Sequence, residues 1–378
     1  MSDVLNIADF LQPLNLGDLL GDNEFKDGQI GKKITIYEHA FPDLASADIV
    51  LVGCGEERGN SPVFETSSAP DKIREQLYFL YSWHPDINVA DIGNIKAGAT
   101  LADTYAALKI VISELNARGK TVLIVGGGHD LTLAQYRSYA DANKIIEATC
   151  VDALINIDIN SMFRSQSFLM EVLTGEPNFI SHYNHIGFQS YFVHPRMLET
   201  MDKLRFDCYR VGKVKENIEE MEPVIRNSSM VSFDLSSIAN AFAPANAISP
   251  NGLTGEEACI LMRFAGLSNT VNSIGIYGYD PTKDNQNLTA AQVSQMIWYF
   301  IDGRSRGKRE ASIADRDSFN EFHVSFAEVS TTFLQSKKTG RWWMQLPDSS
   351  LVPCSHNDYL QAGNNEMPER WLRTQERN

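Results

Sequence analysis

Short apolar segments alternate with amphipathic segments along most of the chain. The apolar segments run into Gly-rich or polar turns and are typical of buried strands: 47–55, 86–95, 121–130, 145–158, 185–190, 206–213, 229–238 and 271–281. The amphipathic segments have apolar residues at helical spacing: 67–83, 100–120, 131–144, 252–268 and 289–303. This alternation predicts a three-layer α/β/α fold, in which helices cover both faces of a mostly parallel sheet.

The pattern changes after about residue 303. The segment FAEVSTTFLQSKKTGRWWMQLP (326–347) reads as two strands joined at KKTG, which predicts a β-hairpin, and an irregular tail follows it. The chain is therefore expected to have three parts: an N-terminal segment (1–45), the α/β domain (46–302) and a C-terminal extension (303–378). About 75 residues are few for an independent core, so the extension is expected to pack on the main domain.

Charge and cysteine content narrow the classes of partner. The formal net charge is −15, which disfavours nucleic acid and anionic membranes, because both need clustered Lys and Arg. Only GRSRGKRE (303–310) is locally basic, and a solvated loop is the expected structure there. No apolar run reaches the ~18–20 residues of a membrane span, and no signal peptide is evident. The five scattered cysteines lack a CxxC pair, which favours reduced thiols and a cytoplasmic protein.

Polar side chains follow three of the predicted strands. His129 comes after TVLIVGGG, Asp152 after EATCV, and Asp234 after MVSF. The carboxyl ends of parallel strands lie at one edge of a sheet, where ligands bind, so these side chains are expected to cluster. The GGGH motif by itself has two interpretations. Its glycines form a tight turn in which His129 only packs, or His129 is a metal ligand at a strand end.

The order of these motifs resembles the ureohydrolases, the family of arginase, agmatinase and formimidoylglutamase. The resemblance covers roughly residues 45–302. It rests on ADIVLVGCGEERGN, SSAPDKIREQL, ADIGNI, GGGHD and SFDLSSIANAFAPANAISPNGLTGEEA, and GGGHD is most similar to the formimidoylglutamase form. The resemblance implies an arginase-like α/β/α fold and two adjacent manganese ions that hold a hydroxide, which attacks a guanidino or formimino carbon.

Six ligands hold the two ions in the family: a His in GG-x-H, three residues in D-A-H-x-D, and two Asp in S-x-D-x-D. By resemblance His129 matches the first, and DALIN (152–156) matches D-A-H-x-D. Asp152 is retained there, whereas Leu154 replaces the histidine and Asn156 the last aspartate. In SFDLS, Asp234 is retained, and its partner is Ser236.

A second register is open, with DINSM (158–162) as the motif. Asp158 would then stand first, with Asn160 and Met162 in the other two positions. Both registers lose ligands. The family also has a substrate-orienting glutamate near the end of the sheet, and Gly278 in IYGYDP stands at that place.

Two functions remain as hypotheses. The favoured one is a non-catalytic family member with a binding, assembly or regulatory role. Its partner would be an unidentified protein or a second copy of the chain, as in a homo-oligomer. The alternative is an active metal-dependent C–N hydrolase of formimidoylglutamase type. No catalytic residue is assigned. The expected remnant metal site is His129, Asp152, Asn156 and Asp234, which would hold no ion or a single weakly bound manganese or zinc.

Three further features have a structural and a functional interpretation. Cys54 is expected to be a small buried thiol rather than a nucleophile, because no base can be assigned to it. His182 and His185 are expected in a polar loop cluster. Trp342 and Trp343 are expected to pack in the hairpin rather than to stack on a ligand.

Overall fold

The computed structural model describes residues 6–21, 23–60, 67–327 and 329–377. Fourteen strands lie in the described ranges: β1 (Leu11–Gln12), β2 (Thr35–Ile36), β3 (Ile49–Gly53), β4 (Val89–Ile95), β5 (Thr121–Val125), β6 (Ile146–Val151), β7 (Ile180–Phe188), β8 (Asp207–Arg210), β9 (Met230–Asp234), β10 (Ser273–Tyr277), β11 (Phe319–Phe326), β12 (Val329–Ser336), β13 (Trp342–Gln345) and β14 (Leu351–Cys354).

The same ranges contain thirteen α-helices: α1 (Leu16–Leu20), α2 (Ile30–Lys33), α3 (Ala69–Leu77), α4 (Leu101–Ala117), α5 (Thr132–Ala140), α6 (Phe168–Thr174), α7 (Pro195–Lys203), α8 (Val211–Glu216), α9 (Met221–Arg226), α10 (Gly255–Leu267), α11 (Leu288–Gly307), α12 (His356–Gly363) and α13 (Glu369–Arg377). Within the described residues, no helix is long and apolar enough to cross a bilayer.

The main sheet has ten strands in the order β1-β4-β3-β5-β10-β9-β6-β7-β8, with β2 also paired to β4. Every pairing in it is parallel except that of β1 with β4. The predicted mostly parallel sheet is therefore confirmed. Its carboxyl edge brings together the ends of strands that are far apart in sequence.

Helices cover both faces of this sheet because the central strands are apolar on both sides. In β3, Leu51 packs into the core that contains α3, α10 and α11, and its neighbour Val50 packs into the core that contains α4, α5 and α6. In β5, Leu123 packs into the first of these cores and Val122 into the second. This is the alternation of side chains along a strand, and it gives the three-layer architecture.

Local sequence sets where two of the covering helices begin. Thr100 caps α4 in a capping box with Asp103, and Thr254 caps α10 in a capping box with Glu257. These reciprocal hydrogen bonds satisfy amide groups that a helix start leaves unpaired.

The C-terminal extension contains a second, antiparallel sheet in the order β11-β12-β13-β14, followed by α12 and α13. The predicted hairpin is confirmed as β12 and β13, and the outer strands β11 and β14 were not predicted. Trp342 and Trp343 are both buried in it, as expected. Helix α11 continues past residue 303 to Gly307, so the boundary expected at 302/303 lies inside a helix.

The basic segment 303–310 is not the solvated loop that its composition indicated. It begins inside α11, where Arg304 is buried and donates hydrogen bonds to the carbonyls of Ser268 and Val271. Lys308 pairs with Asp48 at 2.8 Å. Arg304 can thus be internal because backbone carbonyls accept from its guanidinium group, whereas Arg306, Lys308 and Arg309 of the same segment are exposed.

A candidate metal centre at the carboxyl edge of the sheet

The expected site residues meet at the carboxyl edge of the main sheet. A short 3₁₀ helix (His129–Leu131) after β5 carries His129, the residue after β6 is Asp152, and β9 ends at Asp234. His129 Nδ1 lies 3.0 Å from Asp152 Oδ2 and 3.6 Å from Asp234 Oδ2. The predicted clustering of these three side chains is therefore present.

The other ring nitrogen of His129 faces the interior of the protein. Its Nε2 is 2.9 Å from Ser232 Oγ and 3.7 Å from Cys150 Sγ. Ser232 is in turn 2.6 Å from Thr132 Oγ1. These contacts orient the ring so that Nδ1 is the atom directed at the two carboxylates.

Asp152 is held by three donors. Asn156 Nδ2 donates to its Oδ2 at 2.5 Å, and Ser236 Oγ donates to its Oδ1 at 2.6 Å. The backbone amide of Leu154 adds a third hydrogen bond at 2.9 Å to Oδ1. Asp234 accepts from the backbone amide of Ser236 at 2.8 Å. Both oxygens of Asp152 therefore have partners supplied by the protein itself.

Burial and neighbouring charges shift the pKa values of Asp152 and Asp234 in opposite directions. Burial raises the pKa of Asp152, but His129 and the hydroxyl of Ser236 outweigh burial, and the net pKa is lowered. Burial raises the pKa of Asp234, with a further increase from the charge of Asp152, and its net pKa is raised although His129 opposes this. Burial opposes protonation of His129, yet Asp234 and its neighbours raise the pKa of His129 well above its ordinary value. The cluster thus favours a positively charged imidazole between carboxylates.

These side chains line a cavity of about 720 Å³. Leu154 contributes an apolar side chain to its wall. The residues of the second register, Asp158, Asn160 and Met162, are exposed and do not line it. The geometry therefore favours the register in which DALIN supplies the site.

Gly278 lies in the same wall, in a backbone conformation with φ of +82°. A Cβ atom there would come within 2.6 Å of Asp234 Oδ2. A side chain at this position would meet both the strained backbone and the retained carboxylate. The structure thus gives a physical reason for a glycine at this position.

One acidic residue that lines the cavity, Glu57, was not predicted from the sequence, and the buried Asp130 lies near it. Glu57 lines the cavity, and burial together with the charge of Asp130 raises the pKa of Glu57 to about 7 although Asn60 donates to it. Burial raises the pKa of Asp130 to about 6, while its hydrogen bond with Tyr105 opposes the shift. Glu57 stands in GCGEERGN and Asp130 in GGGHD, and these two quoted motifs were the signal in the sequence.

His182 and His185 are not in a loop, because both lie in β7 and are buried. Being three residues apart in a strand, they point to opposite faces of the sheet. His185 Nε2 lies 3.2 Å from the carbonyl oxygen of Asp152, behind the site, whereas His182 lies 3.2 Å from Asp207. Cys54 is fully buried, and burial raises its pKa to about 12, so it is the inert thiol that was expected.

One group of metal-binding side chains is present among the described residues. His129, Cys150 and Asp152 offer ligand atoms within 4.8 Å of one another. The sulfur lies near Nε2, whereas the carboxylate lies near Nδ1. The group therefore offers an ion one ligand atom from each of three residues, fewer than the six ligands that the family resemblance implies for two ions.

This fold and this constellation at strand ends define an arginase-type α/β protein, and the match to known proteins agrees. The Arginase family model matches residues 47–302, so the chain belongs to the arginase family. Within it, the chain is similar to formimidoylglutamases. The formimidoylglutamase of Staphylococcus aureus (strain JH9) is 25% identical over 275 residues, which are 66% of this chain and 85% of that protein.

Two solved formimidoylglutamase structures have the same fold. That of Trypanosoma cruzi formiminoglutamase with Mn²⁺ aligns with a TM-score of 0.62 and 18% identity, covering 70% of this chain and 99% of that one. That of Bacillus subtilis formimidoylglutamase aligns with a TM-score of 0.64 and 17% identity, covering 75% and 95%. The part of the chain beyond the family match includes the whole C-terminal sheet.

Proposed function

We propose that this arginase-family protein is non-catalytic, with a metal-independent site and a binding, assembly or regulatory role. The observation that carries the proposal is the pair of hydrogen bonds from Asn156 and Ser236 to the two oxygens of Asp152. By resemblance both residues stand where the family has carboxylate ligands. Here they donate to the remaining carboxylate, which an amide and a hydroxyl can do and a carboxylate cannot.

The donor set does not fit two divalent cations. Two manganese ions carry a charge of +4, and the retained carboxylates, Asp152 and Asp234, offset only half of it. Leu154 brings an apolar side chain to the position of a family ligand. An ion in a buried site with uncompensated charge is strongly disfavoured, so no reaction step is assigned to a metal pair here.

The substrate side of the site supports the same proposal. A carboxylate at position 278 would orient a guanidino or formimino group, and Gly278 has none. Restoring it is opposed by the positive φ and by the closeness of Asp234. Loss of ligands and loss of the orienting group together leave a cavity that can bind but lacks the family's chemistry.

A second candidate function is an active C–N hydrolase of formimidoylglutamase type. It is favoured by Glu57, which lines the cavity that holds His129 and has a pKa of about 7. A carboxyl group with a pKa near neutrality is suited to general acid–base work. In this case a single weakly held manganese or zinc ion would contact Asp152 and Asp234, and Glu57 would exchange protons with bound substrate.

Metal analysis and activity assays distinguish the two functions. The purified protein is analysed by inorganic mass spectrometry and then assayed on arginine, agmatine, guanidinobutyrate and formimidoylglutamate, with and without added manganese. A known formimidoylglutamase is the positive control. We expect less than one manganese per chain and no hydrolysis. Turnover of any of the four compounds, with one or with two ions per chain, would refute the proposal and support the hydrolase.

We propose further that the protein acts in the cytoplasm through a protein partner or through self-association. All five cysteines are free thiols, which fits a reducing compartment. Light scattering coupled to size-exclusion chromatography would give the oligomeric state. A monomer with no co-purifying protein would count against the assembly role.

A further inference from the structure

A second large cavity lies between the main domain and the C-terminal extension, away from the site described above. Its volume is about 650 Å³. One wall comes from α9, α10 and the end of α11, and the other from the turn between β12 and β13 and from the start of α12. This volume is within the usual range for small-molecule sites.

The deeper cations of this cavity have partners in the protein. Arg226 pairs with Glu222 and packs over the ring of Trp343, with its guanidinium carbon 4.4 Å from the ring centre. Arg341 pairs with Glu310 at 2.9 Å and with Glu222 at 3.5 Å. These ion pairs link the two walls, and the charges of Arg226 and Arg341 are offset by their acidic partners.

The outer cations differ. Arg263, Arg309 and Lys338 line the cavity from three separate elements, and within the described ranges none of them is in an ion pair. Arg306 adds a fourth cation, which pairs with Asp302 of its own helix. We call Arg263, Arg309 and Lys338 the cationic rim.

Acidic residues on the same walls do not neutralise this rim. Three line the cavity: Glu219, Glu220 and Glu222. Glu220 pairs with Arg370, and Glu222 is taken by the deeper arginines. Among the described residues of these walls, Glu219 is the acidic residue left without an ion pair, and Arg309 also interacts with Asp86 outside the cavity. The rim therefore carries a local positive charge in a chain whose net charge is −15.

We propose that this cavity binds a small oligophosphate anion. The three cations come from different elements around an open volume, so a ligand with several linked anionic groups can contact more of them than one isolated ion can. Arg and Lys are the usual partners of phosphate oxygens. Repulsion from the rest of the chain is screened beyond about 8 Å at physiological ionic strength, so the local charge decides binding.

Pyrophosphate and inorganic phosphate are the probes, measured by isothermal titration calorimetry on the full chain at low and at physiological salt. The rim variant is Arg263→Gln, Arg309→Gln and Lys338→Gln. The matched control removes the same charge from exposed cations elsewhere that are in no ion pair within the described residues: Lys32→Gln, Arg196→Gln and Lys203→Gln. Circular dichroism checks that each variant is folded.

We expect one pyrophosphate per chain, bound more tightly than phosphate and more weakly as salt rises. The rim variant should weaken it at least about tenfold, or about 1.4 kcal/mol, and the control by less than about twofold. Equal losses in both variants, or no binding by the wild type at millimolar pyrophosphate, would overturn the proposal. If the rim variant does not fold, Lys338→Glu at the exposed turn is the second test, and unchanged affinity there would also overturn it.

Discussion

By the family resemblance, Asn156→Asp restores a metal ligand. In the present site, without a metal ion, it should lower the free energy of unfolding. The change removes the donor that lies 2.5 Å from Asp152 Oδ2. A hydrogen bond to a charged group contributes about 1.5–3 kcal/mol. Two carboxylates about 4 Å apart repel by up to about 4 kcal/mol at an effective dielectric constant of 20. Protonation of one of them limits this cost, and so does the imidazole of His129, whose Nδ1 lies 3.3 Å from Asn156 Nδ2. We therefore expect a loss of about 3–5 kcal/mol in the free energy of unfolding at pH 7.

Urea unfolding followed by circular dichroism measures this loss, at pH 7 and at pH 5, with and without manganese. We expect the added carboxylate to have a raised pKa in the folded state, because it would be buried beside Asp152. Its destabilisation is therefore greatest above that pKa and should shrink as the pH falls toward 5. Manganese that binds only the folded state should recover part of the loss.

Asn156→Ala is the matched control, because it removes the same donor and adds no charge. It should lose only the hydrogen-bond contribution, with no dependence on manganese. If manganese stabilises the wild type as much as Asn156→Asp, the native site already binds the ion and the metal-independent site is refuted. If Asn156→Asp is as stable as the wild type, the hydrogen bond from Asn156 to Asp152 contributes little to the free energy of unfolding, and the argument for a metal-independent site fails.

Three further outcomes are expected. The triple variant Leu154→His, Asn156→Asp and Ser236→Asp should show a larger rise in melting temperature with manganese than the wild type, with little formimidoylglutamate hydrolysis; rapid turnover would contradict this. Gly278→Ala should cost about 1–3 kcal/mol in chemical denaturation, since its φ is positive; a neutral result would show that the turn adapts. His182, Arg377 and Arg373 outweigh burial and lower the pKa of Asp207 to about 2, so Asp207→Asn should lose about 2 kcal/mol at pH 7, and that difference from the wild type should disappear between pH 4 and pH 2.

The sequence predicted the main sheet because its strands are short apolar runs between amphipathic helices. It also predicted the meeting of His129, Asp152 and Asp234, because parallel strands bring their carboxyl ends to one edge. Those predictions needed only local pattern and topology. The register of the DALIN motif needed the structure, since only burial separates Asn156 from the exposed Asn160.

Other features depend on tertiary contacts that no local pattern reports. His182 and His185 looked like loop residues because they are polar, but both are buried in β7, where each has a polar partner. Arg304 looked solvated because it lies among other charges, but carbonyls from the end of α10 and beyond accept its hydrogen bonds. Glu57 belongs to the site only because the fold brings its loop to the cavity.

The contacts of Arg226 bear on how the molecule should melt. This buried guanidinium belongs to α9 of the main domain and donates a hydrogen bond to the carbonyl of Trp342 in the C-terminal sheet. Separation of the two sheets would strip away that partner and expose the face of Trp343. A hydrogen bond to a charged group contributes about 1.5–3 kcal/mol, so separation is unfavourable before any strand unravels. Scanning calorimetry should accordingly record a single cooperative endotherm, and proteases should find no stable fragment that ends near residue 307.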